Sequence, residues 1–148
     1  GLPVRMRYEN YDSMTVSTRI GARARVLTIR EENGKQSKRK ALNGAAPNFV
    51  HSLDGIGGLL GKTVNLCQAQ GVQDIGSVHD QILCLAADVP VVSSCVRKAT
   101  VEIFQHDVLA EFRKEVLTYL PFVVELPEVP EYGSLDVTEV LKSEYYFN

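Results

Sequence analysis

His79-Asp80 is the dipeptide in this sequence whose residue types and setting best suit chemistry. Two short apolar stretches, Asp74–Val78 and Gln81–Ala86, flank it and predict a β-hairpin with the pair at its tip. A carboxylate held at a rigid tip can meet a divalent cation, and Mg²⁺ is typically held by one or two carboxylates together with substrate phosphates. The structural alternative is a turn stabilised by Asp80, with His79 as its satisfied partner.

Other short motifs carry less. Metal-dependent phosphohydrolases use a His-Asp pair too, but on a helix and with ligands from other helices, which the β-prone flanks here do not offer. Gly61-Lys62-Thr63 follows the cluster Gly55-Ile56-Gly57-Gly58 and invites comparison with a phosphate-binding loop. That loop needs a glycine where Ile56 stands and a buried apolar strand before it, and Asn48–Asp54 is not such a strand. No Ser-His-Asp order stands out. His51 and His106 sit in no motif that spacing alone defines, and His106, beside Asp107 at a helix junction, reads as structural. Cys67, Cys84 and Cys95 form no Cys-x-x-Cys pair, which argues against a disulfide framework or a cysteine zinc site and fits a reducing compartment.

Charge gives a second line. The 148 residues sum to a formal net charge of −2, but the sum is a cancellation. Residues 1–40 hold ten Lys or Arg against four acids, a surplus of +6, and the remaining residues carry −8. A basic segment attached to an acidic body is a footprint of polyanion binding, although a solvated hairpin with basic residues on its outer face gives the same count.

These residues need elements to hold them. Met14–Ile20 and Arg23–Glu31 read as two strands of a half-buried antiparallel pair, Asn33-Gly34 as a turn after them, and Gln36–Lys40 as a mobile basic loop. Pro47 is expected to open a partly helical segment reaching Gln70 and ending at Gly71, interrupted by a break or close backbone approach at Gly55–Gly61. Asp88 and Pro90 start a helix whose inward face is Val92, Val96, Ala99 and Ile103. A further helix from Asp107 turns Leu109, Phe112, Val116 and Leu120 inward. Pro121, Pro127 and Pro130 mark an extended linker, and a last short helix from Ser134 or Asp136 runs through Lys142 before the aromatic tail Tyr145-Tyr146-Phe147. At 45% hydrophobic and 23% charged residues the chain is of ordinary globular composition. No apolar run approaches the ~20 residues of a membrane span, and Gly1-Leu2-Pro3-Val4 shows no secretory leader. The expected class is α+β: a small antiparallel sheet with the His-Asp β-hairpin, packed by several helices. Residues 1–44 form a basic hairpin and loop, 45–120 the core with the His-Asp hairpin, and 121–148 a C-terminal extension.

Several longer strings together resemble one family. Ala46-Pro47-Asn48-Phe49-Val50-His51-Ser52-Leu53-Asp54-Gly55 is followed about two dozen residues later by Val78-His79-Asp80, then by Ala86-Ala87-Asp88-Val89 and Val108-Leu109-Ala110-Glu111-Phe112. The chain closes with Gly133-Ser134-Leu135-Asp136-Val137 and Leu141-Lys142-Ser143-Glu144-Tyr145-Tyr146-Phe147, and it opens with Gly1-Leu2-Pro3-Val4. This combination resembles the C-terminal palm portion of single-subunit DNA-directed RNA polymerases of the bacteriophage and mitochondrial type, over nearly the whole chain.

The resemblance implies templated transfer of nucleotides from NTPs to an RNA 3′ end by two-metal catalysis, with Mg²⁺ as cofactor and DNA template and RNA product as partners. By the same resemblance Asp80 is one of two aspartates holding the metals, and His79 shapes the hairpin tip beside the primer end. His51 faces the minor groove of the newest base pair, where the acceptors are similar for every correct pair. The basic first forty residues, with Arg23, Arg25, Lys38, Arg39 and Lys40, lie against nucleic-acid phosphates, and the aromatic tail packs toward the active site. Two positions depart from the family: Ile56-Gly57-Gly58 replaces Ser-His and a large apolar residue, so a contact by that second histidine is not carried over, and Gln81 follows His79-Asp80. The family's second metal-binding aspartate and its nucleotide-handling Lys and Tyr belong to a part preceding Gly1. The chain alone is therefore expected to be inactive without that N-terminal remainder. The setting implied is the cytoplasm of a phage-infected host or, alternatively, a mitochondrion or plastid. The competing reading is a non-catalytic nucleic-acid-binding module built on residues 1–40.

Overall fold

The computed structural model describes residues 6–78, 80–122 and 124–146. The chain is α+β, with two separate two-stranded antiparallel sheets and four α-helices among the described residues. It divides between Phe49 and Val50 into two compact units.

The first unit is built on a long ribbon of β1 (Glu9–Ile20) and β2 (Arg23–Gln36). Ile20 pairs with Arg23, so Gly21-Ala22 is the two-residue turn, and Gly21 supplies the positive φ of +64° that such turns require. Both strands run further than sequence patterning indicated. Asn33-Gly34 does not end β2 but sits within it, at an irregularity where Tyr11 pairs with Glu32 and Glu9 with Gln36. Gly34 takes φ +69° there, and the Asn33 side chain bridges from the Lys35 N–H (3.0 Å) to Asp12 Oδ1 (2.9 Å). The expected half-burial is corrected: no residue of either strand is buried.

The basic stretch after β2 is likewise not a loop. Lys38–Lys40 form the first turn of α1 (Lys38–Asp54). Ser37 explains why: it is buried, its N–H bonds the Tyr8 carbonyl at 2.6 Å, and its Oγ accepts from the Lys40 N–H at 3.4 Å as a cap does. Pro47 lies inside α1 rather than opening it, where its ring removes the bond to the Asn43 carbonyl. Asn48 Nδ2 donates to Tyr8 OH at 2.9 Å, and a Cβ on Gly44 would come within 2.7 Å of that same oxygen, so the chain entering β1 lies tight against the helix.

The second unit carries the core. The expected break falls at Gly55–Gly58, and α2 (Leu59–Ala69) follows. It is also a close approach: a Cβ on Gly58 would lie 1.8 Å from the Leu53 carbonyl oxygen, and one on Gly61 would lie 1.9 Å from that of Ile56. At its far end Gly71, with φ +87°, and Val72 close a Schellman motif, their N–H groups bonding the carbonyls of Gln68 and Cys67 at 3.0 Å each. Val72 and Cys67 then enter one cluster with Val92, Cys95 and Val96.

Helix α3 (Val89–Phe104) is the spine of this unit and buries Val92, Val96, Ala99 and Ile103, as the periodicity predicts, together with Cys95, Thr100 and Val101. Asp88 occupies its cap position without a capping side-chain bond, and Pro90 lies in its first turn. Helix α4 (Val108–Tyr119) is capped by Asp107, whose Oδ1 accepts from the Ala110 N–H at 2.8 Å. Its expected inward face is corrected in this chain: Leu109 is exposed, while Phe112, Val116 and Leu120 are only half-buried. The last helix is a 3₁₀ turn, Val137–Leu141, capped by Asp136 through the Thr138 N–H at 2.9 Å.

Candidate catalytic cleft

Strands β3 (Ile75–Val78) and β4 (Gln81–Cys84) pair with Val78 opposite Gln81, and Asp80 lies in the turn before β4. His79 lies outside the described residues. The hairpin is anchored on one face, because Ile75, Ile82 and Cys84 alternate toward the cluster of Cys67, Val72, Val92, Cys95 and Val96. That packing holds the tip while leaving Asp80 exposed.

Asp80 opens onto a cleft of about 660 Å³ that is also lined by His51, Asp54, Gly55, Leu59, Leu60, Ile82 and Val96. The floor is apolar, from α2, β4 and α3; the three side chains able to act on a ligand are His51, Asp54 and Asp80. Local reading of the sequence gave His51 no role, and only the wider resemblance did so. The cleft brings it into one site with Asp80. Asp54 was missed, although its spacing of three from His51 on the last turn of α1 places both on one helix face.

Among the described residues no group of three or more His, Cys, Asp and Glu side chains could hold a metal ion. A lone exposed carboxylate such as Asp80 can offer Mg²⁺ one donor, and the described donor set is not by itself a metal centre. The Gly61-Lys62-Thr63 string is no phosphate loop. It lies within α2, Lys62 is paired with Glu102 at 2.8 Å, and Thr63 is fully buried, its Oγ1 without a hydrogen-bond partner among the described residues. The thiols are free. Burial first, then the neighbouring Cys95 thiol, push Cys67 up to about 12, so it stays protonated and unreactive.

In the other unit the predicted nucleic-acid contacts are all exposed. Arg23 and Arg25 alternate onto one face of β2, opposite Ile20 and Thr18, next to the turn. Lys38, Arg39 and Lys40 crowd the first turn of α1, which contains no acid. Cations there oppose the helix dipole, and they add to the positive field of the unpaired N–H groups. Lys40 is partly committed: Nζ donates to the Glu9 carbonyl at 3.2 Å and sits 4.3 Å above the Tyr11 ring.

A family model described as DNA-dependent RNA polymerase matches residues 1–122. The chain is 33% identical over all 148 residues to the DNA-directed RNA polymerase 1, mitochondrial, of Arabidopsis thaliana, covering 14% of that protein. It is 30% identical over its full length to the DNA-directed RNA polymerase 2B, chloroplastic/mitochondrial, of Nicotiana tabacum, again covering 14%. Against the DNA-directed RNA polymerase 1A of Nicotiana tabacum the identity is 31%, and the chain covers 90% of that shorter protein. It thus spans about a seventh of the first two relatives.

Proposed function

The chain belongs to the single-subunit DNA-dependent RNA polymerase family, and we propose that it supplies part of the catalytic palm of such an enzyme. The observation that supports this most is the meeting of His51 and Asp80, from separate motifs of the family, in one cleft. In this reading Asp80 donates one carboxylate to the metal site that it shares with the N-terminal remainder. Mg²⁺, when bound, lowers the barrier for attack by the RNA 3′-hydroxyl and for departure of pyrophosphate. This chain's own residues orient the reactants. His51 offers a hydrogen-bond donor to the minor-groove edge of the newest pair, where a donor senses pairing geometry without reading sequence. The apolar floor of Leu59, Leu60, Ile82 and Val96 excludes water from beneath them.

Residues 1–44 carry the basic nucleic-acid contacts, 45–120 the palm core with His51 and Asp80, and 121–148 the C-terminal extension. The substrates are NTPs, the partners are DNA template and RNA product, and the chain alone does not polymerise. An organelle is the favoured setting, because two of the relatives are named mitochondrial or chloroplastic/mitochondrial. In the complete enzyme, Asp80→Ala should cut nucleotide incorporation by about 10²–10³-fold, the scale of losing a group aimed at developing charge, and leave DNA binding intact. Near-normal elongation by that variant would refute the assignment. The exposed arginines of the ribbon favour a second reading, a non-catalytic binding module, which predicts that Asp80→Ala has no consequence at all.

A further inference from the structure

Arg97 and Thr100 lie one turn apart on α3, and both reach the end of the chain. Arg97 Nη1 donates to the Val140 carbonyl at 2.9 Å and to the Ser143 carbonyl, while its guanidinium lies over the Tyr146 ring, 5.6 Å from the centroid. The terminal 3₁₀ turn leaves carbonyls without helical partners, and one planar donor group meets two carbonyls in that segment. Thr100 Oγ1 is 3.0 Å from the Val96 carbonyl and 2.6 Å from Tyr146 Oη. A threonine hydroxyl has a single proton and a carbonyl only accepts, so Thr100 donates to Val96 and Tyr146 donates to Thr100. Thr100 is 6% exposed, so its bond to Val96 is shielded from water, and the half-buried Tyr146 hydroxyl extends the run toward the surface. It ends on Val96, the α3 residue that lines the cleft with His51 and Asp80.

We propose that residues 140–146 form a strap that Arg97 clamps to α3, and that the Tyr146–Thr100–Val96 bonds couple its position to the cleft wall. Arg97 and Tyr146 are then positioning residues for the cleft, acting through α3 without touching a reactant. Only the activity arm of the following test rests on the polymerase reading.

Hydrogen exchange and histidine resonances of the full chain test the strap directly. Arg97→Ala should speed exchange across residues 140–146 by about tenfold or more, the scale of losing hydrogen bonds to a charged donor. The milder Tyr146→Phe keeps the ring and removes only the hydroxyl. Both variants should displace the ring resonances of His51, whereas Lys142→Ala, which removes an exposed pair with Glu139, should leave them in place. In the complete enzyme Tyr146→Phe should lower kcat more than it changes KM for nucleotide. Unchanged exchange in Arg97→Ala overturns the clamp. A loosened strap with unmoved His51 resonances overturns the coupling. If the native complete enzyme incorporates no nucleotide, the proposed function fails, and exchange and resonances still decide the strap.

Discussion

The two units of this chain solve opposite problems. The ribbon of β1 and β2 exposes every strand residue to some degree, with Met14, Ile20, Val26, Leu27 and Ile29 all at least half exposed. The second unit seals seven residues of α3 alone. An isolated two-stranded ribbon is marginal in water, so its hydrogen bonds and its turn hold its shape, and packing adds little. The cleft, by contrast, inherits its geometry from a core: the hairpin that presents Asp80 lies on the cluster around Val96 and Cys95. One unit presents charge on an open scaffold, and the other presents chemistry on a closed one.

The largest test of that contrast is steric. Gly58 has no room for a side chain, because a Cβ would lie 1.8 Å from the Leu53 carbonyl oxygen. Gly58→Ala should therefore destabilise the second unit by roughly 2–4 kcal/mol, as forced backbone strain does, read by urea unfolding. Leu27→Ala removes a larger side chain from the ribbon, yet should move the same midpoint by no more than about 0.5 kcal/mol. Equal effects from the two would erase the distinction between the units.

The next test separates charge from chemistry. Arg23 and Arg25 are exposed and unpaired with any acid among the described residues. Replacing both with Ala should lower the slope of log K against log salt for duplex DNA by about two, close to one per lost phosphate contact. Asp80→Ala should leave that slope unchanged. A slope that ignores the arginines would move the nucleic-acid surface elsewhere.

A smaller effect has opposite signs in two measurements. Lys38 and Arg39 oppose the dipole of α1 in its first turn. Lys38→Gln with Arg39→Gln should stabilise that helix by about 0.3–1 kcal/mol per site at low salt, while weakening DNA binding. If stability rises and binding holds, these cations serve neither the helix nor the ligand.

How far the sequence could be read follows the same division. The apolar period of α3 was legible because burial enforces it, and so were Gly71 and the pairing of β3 with β4 beside Asp80. In the ribbon nothing is buried, so alternation has no packing to report. Asn33-Gly34 resembles a chain reversal, but Gly21-Ala22 already performs it, and Gly34 spends its positive φ on an irregularity inside β2. The helical start at Lys38 was hidden because its cap, Ser37, is fixed by Tyr8, a partner distant in sequence. Convergence on the cleft is a tertiary fact. Spacing could place Asp54 beside His51 on one helical face, but no local pattern places either one with Asp80. The face of α4 shows the converse, an apolar period that the described residues bury only in part.

The smallest predicted effect is a response to acid in the second unit. The Ala110 N–H, then the Tyr132 hydroxyl, hold Asp107 below its ordinary carboxylate value of 3.8, and the same hydroxyl, donating at 2.9 Å, ties the proline-rich linker to α4. A carboxyl lowered on folding contributes stability that is fully present above its unfolded value and is lost as pH falls through the folded one. Asp136 is lowered similarly, by the hydroxyl and N–H of Thr138. Unfolding midpoints should therefore fall as pH drops below 3.8. Asp107→Asn retains a capping oxygen but cannot titrate, so it should flatten that fall while barely changing the midpoint at its acid end. Since Asp107 is exposed, the change is small, and comparing pH-dependence between native chain and variant isolates it better than comparing absolute stabilities. An undiminished slope in Asp107→Asn would place the acid response on other carboxyls and leave this cap with a purely geometric role.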